Sequence, residues 1–218
     1  MKKLVRGIVE FRKKALASYR EKFEQLALGQ SPDTLFIACS DSRVAANVFA
    51  STEPGDLFVI RNVGNMIPCC GEDGHSSADE SEAAAIEFAI QNLNVKHIIV
   101  CGHSECGAMH ALIRGRNTLT TPHLRAWLRH GEPSLSLIDS TKSNLTPVNN
   151  LSQLNVLQQI EHLKSYPVVR ERLEQGRLQL HAWWFELSGA SVYNFDSKLG
   201  RFVMIDENSA PQILADIE

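Results

Sequence analysis

Residues 34–43 read Thr-Leu-Phe-Ile-Ala-Cys-Ser-Asp-Ser-Arg, and residues 97–107 read His-Ile-Ile-Val-Cys-Gly-His-Ser-Glu-Cys-Gly. Each begins as a short unbroken apolar run, Thr34 to Ala38 and His97 to Cys101, and breaks off into thiol, imidazole and carboxylate side chains. A third apolar run spans Leu57 to Ile60. Runs of this length without polar alternation are strands buried on both faces, as in a parallel sheet. Between the second and third strands in chain order, residues 81–93 are rich in Ala and carry Ile86, Phe88 and Ile90. They predict a crossover helix stopped by Asn94. The fold class read from this pattern is α/β: a central, mostly parallel β-sheet flanked by helices.

The flanks agree. Apolar residues at Leu4, Ile8, Phe11, Ala15, Tyr19, Phe23, Leu26 and Leu28 recur every three or four positions and predict an amphipathic helix or helix pair, ended by Gly29 to Pro32. After Cys106 the pattern turns helical. Leu151, Leu154, Leu157, Ile160 and Leu163 form one apolar stripe, and Pro167 and Gly176 bracket a further helix. Residues 177–186 predict a strand, and 191–195 with 201–205 a terminal hairpin. Residues 66–82 read as a polar loop. With no repeat, linker or change of composition, the 218 residues form one domain. It divides into a helical arm (1–30), a core (34–186) and C-terminal strands and tail (187–218).

Hydrophobic residues at 44% and charged residues at 22% exclude a disordered or collagen-like chain, and a net charge of −3 argues against nucleic-acid or membrane-surface partners. Arg6, Glu10, Arg12, Lys13 and Lys14 interrupt any signal-peptide core, so the expected location is cytoplasmic. Five cysteines is an odd number, which favours free thiols or metal ligands over a disulfide framework.

Ligand sites of open α/β sheets lie outside the carboxyl ends of the strands. Cys39 and the pair His103 and Cys106 occupy two such ends. Two thiolates and an imidazole form a donor set suited to Zn²⁺, and three protein ligands leave one tetrahedral position open, the catalytic arrangement. Asp41 is a candidate fourth ligand, and Arg43 competes for it as a bidentate partner.

Three blocks, Cys39-Ser-Asp-Ser-Arg43, Glu53-Pro-Gly-Asp-Leu-Phe-Val-Ile-Arg-Asn62 and Cys101-Gly-His-Ser-Glu-Cys-Gly-Ala108, resemble the signature blocks of the β-class carbonic anhydrases in order and spacing. The resemblance implies reversible hydration of CO₂ to bicarbonate by a zinc-bound hydroxide, with one Zn²⁺ per chain held by Cys39, His103 and Cys106. It implies an orienting pair, Asp41 and Arg43. It places Gln30, Phe58, Val63 and the Gly107 amide around the substrate. It also implies a homodimer or higher even-numbered homo-oligomer in which the N-terminal arm packs on a partner subunit and some pocket residues serve the neighbour's metal.

Departures qualify the resemblance. Phe36 and Phe185 replace the Trp and Tyr of a bicarbonate-inhibited subgroup while Arg61 remains, so that regulatory pocket is expected to be absent and Asp41 off the metal. Phe88 replaces a pocket Tyr. The loop before residue 81 is longer than usual, and Glu82 lies in its altered end. Alternatives are hydrolysis of COS or CS₂ on the same scaffold, and a non-catalytic zinc protein closed by Asp41. No proton shuttle is identifiable; His75, His110 and His123 read as surface or structural residues.

Overall fold

The computed structural model describes residues 1–78, 80–138 and 144–217. Strands β1 (Thr34–Cys39), β2 (Leu57–Asn62), β3 (His97–His103), β4 (Gln179–Glu186), β5 (Ser191–Asp196) and β6 (Arg201–Met204) form one sheet in the order β2-β1-β3-β4-β5-β6. The β1–β2, β1–β3 and β3–β4 pairs are parallel, and the last two pairs are antiparallel hairpin partners. The helices are α1 (Lys2–Glu10), α2 (Leu16–Leu26), α3 (Ala46–Phe49), α4 (Ser81–Glu87), α5 (Gly107–Arg114), α6 (Pro122–Trp127), α7 (Pro147–Lys164), α8 (Pro167–Glu174) and α9 (Ala210–Ala215). A π-turn over Phe11–Ala15 joins α1 to α2, and another over Phe88–Asn92 extends α4.

Alternation along β1 and β3 explains why both runs are apolar throughout. Leu35, Ile37, Ile98 and Val100 point to one face, where they meet Ile86, Ile90, Leu163 and Tyr166 from the helices. Phe36, Ala38, Ile99 and Cys101 point to the other, against Phe185, Phe49 and Trp183. The third run behaves differently. β2 is the edge strand, and Val59 is 42% exposed while Ile60 is buried. Arm helices α1 and α2 bury no residue against their own chain, and Leu4, Ile8, Phe11, Phe23 and Leu28 remain exposed.

Two expectations are corrected. The α7 stripe is rotated: its buried face is Leu151, Ser152, Asn155, Val156, Gln159, His162 and Leu163, so polar groups share it with apolar ones. Those polar groups bind the 63–68 segment. Gln159 accepts from the Ile67 amide at 2.7 Å, Asn155 donates to the Gly64 carbonyl at 3.1 Å, and His162 Nδ1 lies 2.7 Å from the Ile67 carbonyl. The start of the expected polar loop is therefore core: Met66 and Ile67 are fully buried, and the Tyr166 hydroxyl donates to the Pro68 carbonyl at 2.8 Å. Cys70 also joins the core, and Cys101 is fully buried, with burial pushing its thiol up to about 12.

α7 lies directly on β3. A Cβ at Gly102 would fall 2.6 Å from Val156 Cγ2, so only glycine admits this approach. At the amino ends of β3 and β4, His97 Nδ1 and His181 Nε2 are 3.2 Å apart. Burial, and then the His97 charge, depress the His181 pKa from 6.5 to about 4. Between these values the unfolded chain holds more protons than the folded one, so stability falls as pH drops through the interval. Urea midpoints at about pH 7 and about pH 5 should therefore differ less in His181→Gln than in the native chain. Equal differences would show that His181 is not held neutral by the fold.

Candidate metal and substrate site

The parallel pairing of β1 with β3 runs through Ala38↔Cys101, so both strands release their chains at the same sheet end. β1 ends on Cys39 and β3 on His103. From His103 the chain reverses through Glu105, whose φ of 52° lies in the left-handed region, and enters α5 with Cys106 as its N-cap. The ligand atoms of Cys39, His103 and Cys106 all lie within 4.8 Å of one another, and all three side chains are buried.

Each group is oriented for ligation. His103 Nδ1 lies 2.9 Å from the Ser104 carbonyl, which holds the proton on Nδ1 and leaves Nε2 as the lone-pair nitrogen. That Nε2 is buried with no hydrogen-bond partner among the described residues. The Cys106 thiol, His103 and the Gly64 amide (3.4 Å from Sγ) hold Cys39 well below the ordinary thiol range, while Cys106 is correspondingly pushed up. Gly64 has φ of 82°, and a Cβ there would lie 2.9 Å from that of Ala108.

The surrounding chain locks the turn. Ser152 Oγ on α7 donates to the His103 carbonyl at 2.7 Å and accepts from Trp184 Nε1 at 3.1 Å. The Ser104 amide donates to the Phe185 carbonyl at 2.9 Å, and the Glu105 amide to Asn149 Oδ1 at 2.8 Å. Arg61 donates to the Cys39 carbonyl at 2.8 Å and to the Asp41 carbonyl at 2.7 Å.

Asp41 is engaged by Arg43 on both oxygens: Nε to Oδ1 at 2.9 Å and Nη2 to Oδ2 at 2.7 Å. Nη2 also donates to the Glu105 carbonyl at 3.1 Å, tying the pair to the ligand turn. Arg43 holds the carboxyl well below the usual carboxylate range. Asp41 Oδ2 lies 3.9 Å from His103 Nε2, beside the site.

The fold brings Cys39, Asp41, Arg43, His103 and Cys106 together. Gly107 opens α5 directly behind Cys106, and Val63 precedes Gly64 on the same rim. Gln30 lies elsewhere, exposed among Phe23, Leu26, Pro54 and Gly55. Phe58 packs against Phe88 on the edge of the sheet, with ring centroids 5.7 Å apart. Phe36 and Phe185 belong to one apolar cluster with Phe49, whose ring stacks on Phe185 at 4.5 Å.

Residues that the sequence did not single out also build the site. Trp127 Nε1 donates to the Val63 carbonyl at 2.8 Å. Asn62 closes the 62–66 turn by accepting from the Met66 amide and donating to its carbonyl, both at 2.8 Å. Ser40, which follows Cys39, and Asn62, Val63, Glu82, Trp127 and His130 are among the residues around a cavity of about 630 Å³. No motif marks Trp127 or His130, since the Val63 carbonyl that Trp127 holds lies far away along the chain.

Known proteins match this arrangement. A family profile described as carbonic anhydrase matches residues 34–192. The carbonic anhydrase of Synechococcus elongatus is 42% identical over 212 residues, covering 95% of this chain and 76% of that protein. The solved β-carbonic anhydrase CcaA is 40% identical with a TM-score of 0.86, over 95% of this chain and 92% of that one. One of two tetrameric β-carbonic anhydrases from the ascomycete Sordaria macrospora is 28% identical with a TM-score of 0.76, over 93% and 100% of the two chains. With the ligand triad at the shared sheet end and this likeness along nearly its whole length, the chain belongs to the β-class carbonic anhydrases.

Proposed function

We propose that the chain hydrates CO₂ reversibly at one Zn²⁺ per chain, held by Cys39, His103 and Cys106. The convergence of three buried soft donors within 4.8 Å, one of them a buried imidazole nitrogen without a protein partner, carries this reading. Zn²⁺ bound there supplies Lewis acidity and brings the pKa of a water toward neutrality. Two thiolates cancel the ion's charge, so the acidification is weaker than with three neutral imidazoles and activity favours alkaline pH.

The chain's own groups do the positioning. Asp41, ionised and held by Arg43, accepts a proton-bearing O–H at Oδ2 and so aims the oxygen's lone pair at the carbon of CO₂. The Gly107 amide donates to the oxygen that gains negative charge as bicarbonate forms. Val63 and Phe58 give a small uncharged substrate apolar walls. Gln30 and Phe58 act on a neighbouring subunit's site, which makes the working unit a homodimer or a larger even-numbered oligomer. The exposed apolar face of α1 and α2 supports this, as do the tetrameric Sordaria relatives. Residues 1–218 work as one domain: arm 1–30, core 34–186 and C-terminal strands 187–218.

Both oxygens of Asp41 are taken by Arg43, which weighs against a closed non-catalytic site with Asp41 as fourth ligand. No helix among the described residues is long and apolar enough to cross a membrane. All five cysteines are free thiols, which suits a reducing compartment and supports a cytoplasmic location.

Purified protein should carry about one zinc per chain, and Cys39→Ser should lose both the metal and CO₂ hydration. A folded, active protein without zinc would refute the assignment. Asp41→Asn should keep its zinc and lose hydration by about 10²-fold, because an amide cannot hold the O–H in the same sense. Stopped-flow hydration with zinc measured on the same samples checks both. Assaying COS in parallel tests the alternative substrate.

A further inference from the structure

Each CO₂ hydrated to bicarbonate releases one proton that has to reach solvent. This inference rests on the hydration reading above. Asp41 is tied up by Arg43, and His110 is turned to the surface beside Glu105, with Nε2 3.1 Å from its carboxylate. The cavity of about 630 Å³ offers another way out. Its lining includes Ser40, next to Cys39, and Val63, next to the glycine whose amide meets the Cys39 sulfur.

The titratable and charged groups lining it, among the described residues, are Glu82, His123, Arg129 and His130. Glu82 and His130 are only 8% and 6% exposed. A carboxylate and an imidazole this deeply buried are uncommon, and such groups cluster at functional sites. Asn62 Nδ2 donates to Glu82 Oε1 at 3.2 Å, linking the carboxylate to the turn that carries Val63. The Trp127 ring meets His130 edge-on at 5.4 Å while its Nε1 holds the Val63 carbonyl. His123 is exposed, and Arg129 donates to the Ser77 and Ala126 carbonyls.

We propose that His130 and Glu82 form a proton relay that drains the site through this cavity to His123. The space is ample for a chain of waters with polar partners. His130 takes the proton from cavity water, and Glu82 stabilises the resulting imidazolium. His123 receives the proton and yields it to buffer. One proton leaves per CO₂ consumed, and each side chain returns to its starting protonation state.

The test is stopped-flow CO₂ hydration by zinc-loaded protein at low buffer and with added imidazole. In His130→Asn, kcat at low buffer should fall by about 10²-fold, while kcat/KM for CO₂ stays unchanged and imidazole restores the rate. Glu82→Gln and the exposed His123→Ala should show the same pattern with smaller losses. Unchanged kcat in all three variants overturns the relay. So does a joint loss of kcat and kcat/KM without imidazole rescue, which marks a structural role. An inactive zinc-loaded wild type overturns the hydration reading itself, a result separate from either of these.

Discussion

The site depends on one constraint, the parallel pairing of β1 with β3 in the register Ala38↔Cys101. Antiparallel strands would send Cys39 and His103 to opposite ends of the sheet. A one-residue slip would turn the alternating side chains of β1 to the wrong faces. Both faces are filled by apolar residues of different size, Leu35 and Ile37 on one and Phe36 and Ala38 on the other, so a slip is strongly disfavoured. The register that packs the core therefore also brings Cys39 and His103 to one end of the sheet.

Everything around the ligand turn holds a geometry that the local chain would not keep by itself. Glu105 sits in a left-handed conformation that a non-glycine residue adopts at a cost. The turn is retained because Ser152 and Asn149 on α7, Arg43 after β1 and Phe185 on β4 satisfy its polar groups from three separate segments. Removing the Ser152 hydroxyl would leave the buried His103 carbonyl without this donor, at a cost of about 1–3 kcal/mol. The polar residues on the buried face of α7 have the same origin. Gln159 and Asn155 are kept there because the 63–68 segment brings main-chain groups that no strand or helix satisfies.

Chemistry and assembly occupy different parts of the molecule. The carboxyl end of the sheet holds the thiols, the imidazole and the Asp41–Arg43 pair, and the opposite end holds the His97–His181 pair. The arm, the edge strand β2 and the end of α4 carry exposed apolar surface, including Leu4, Ile8, Val59 and Phe88. Gln30 and Phe58 lie in this region, on the surface most suited to a second copy.

Much was legible in the sequence. Unbroken apolar runs at 34–38 and 97–101 pointed to buried parallel strands, and the thiols and imidazole just beyond them form a donor set suited to a soft metal, because strand ends and donor types are local properties. The Pro167 start and the 191–205 hairpin were legible for the same reason. Tertiary structure decided what depends on distant partners. It made β2 an edge strand, rotated the buried face of α7 onto Ser152, Asn155 and Gln159, drew Met66 and Ile67 into the core, and placed Glu82, Trp127 and His130 around one cavity. Periodicity reports which residues share a face of their own element. It does not report what that face meets, and here that was main-chain polarity from elsewhere in the chain.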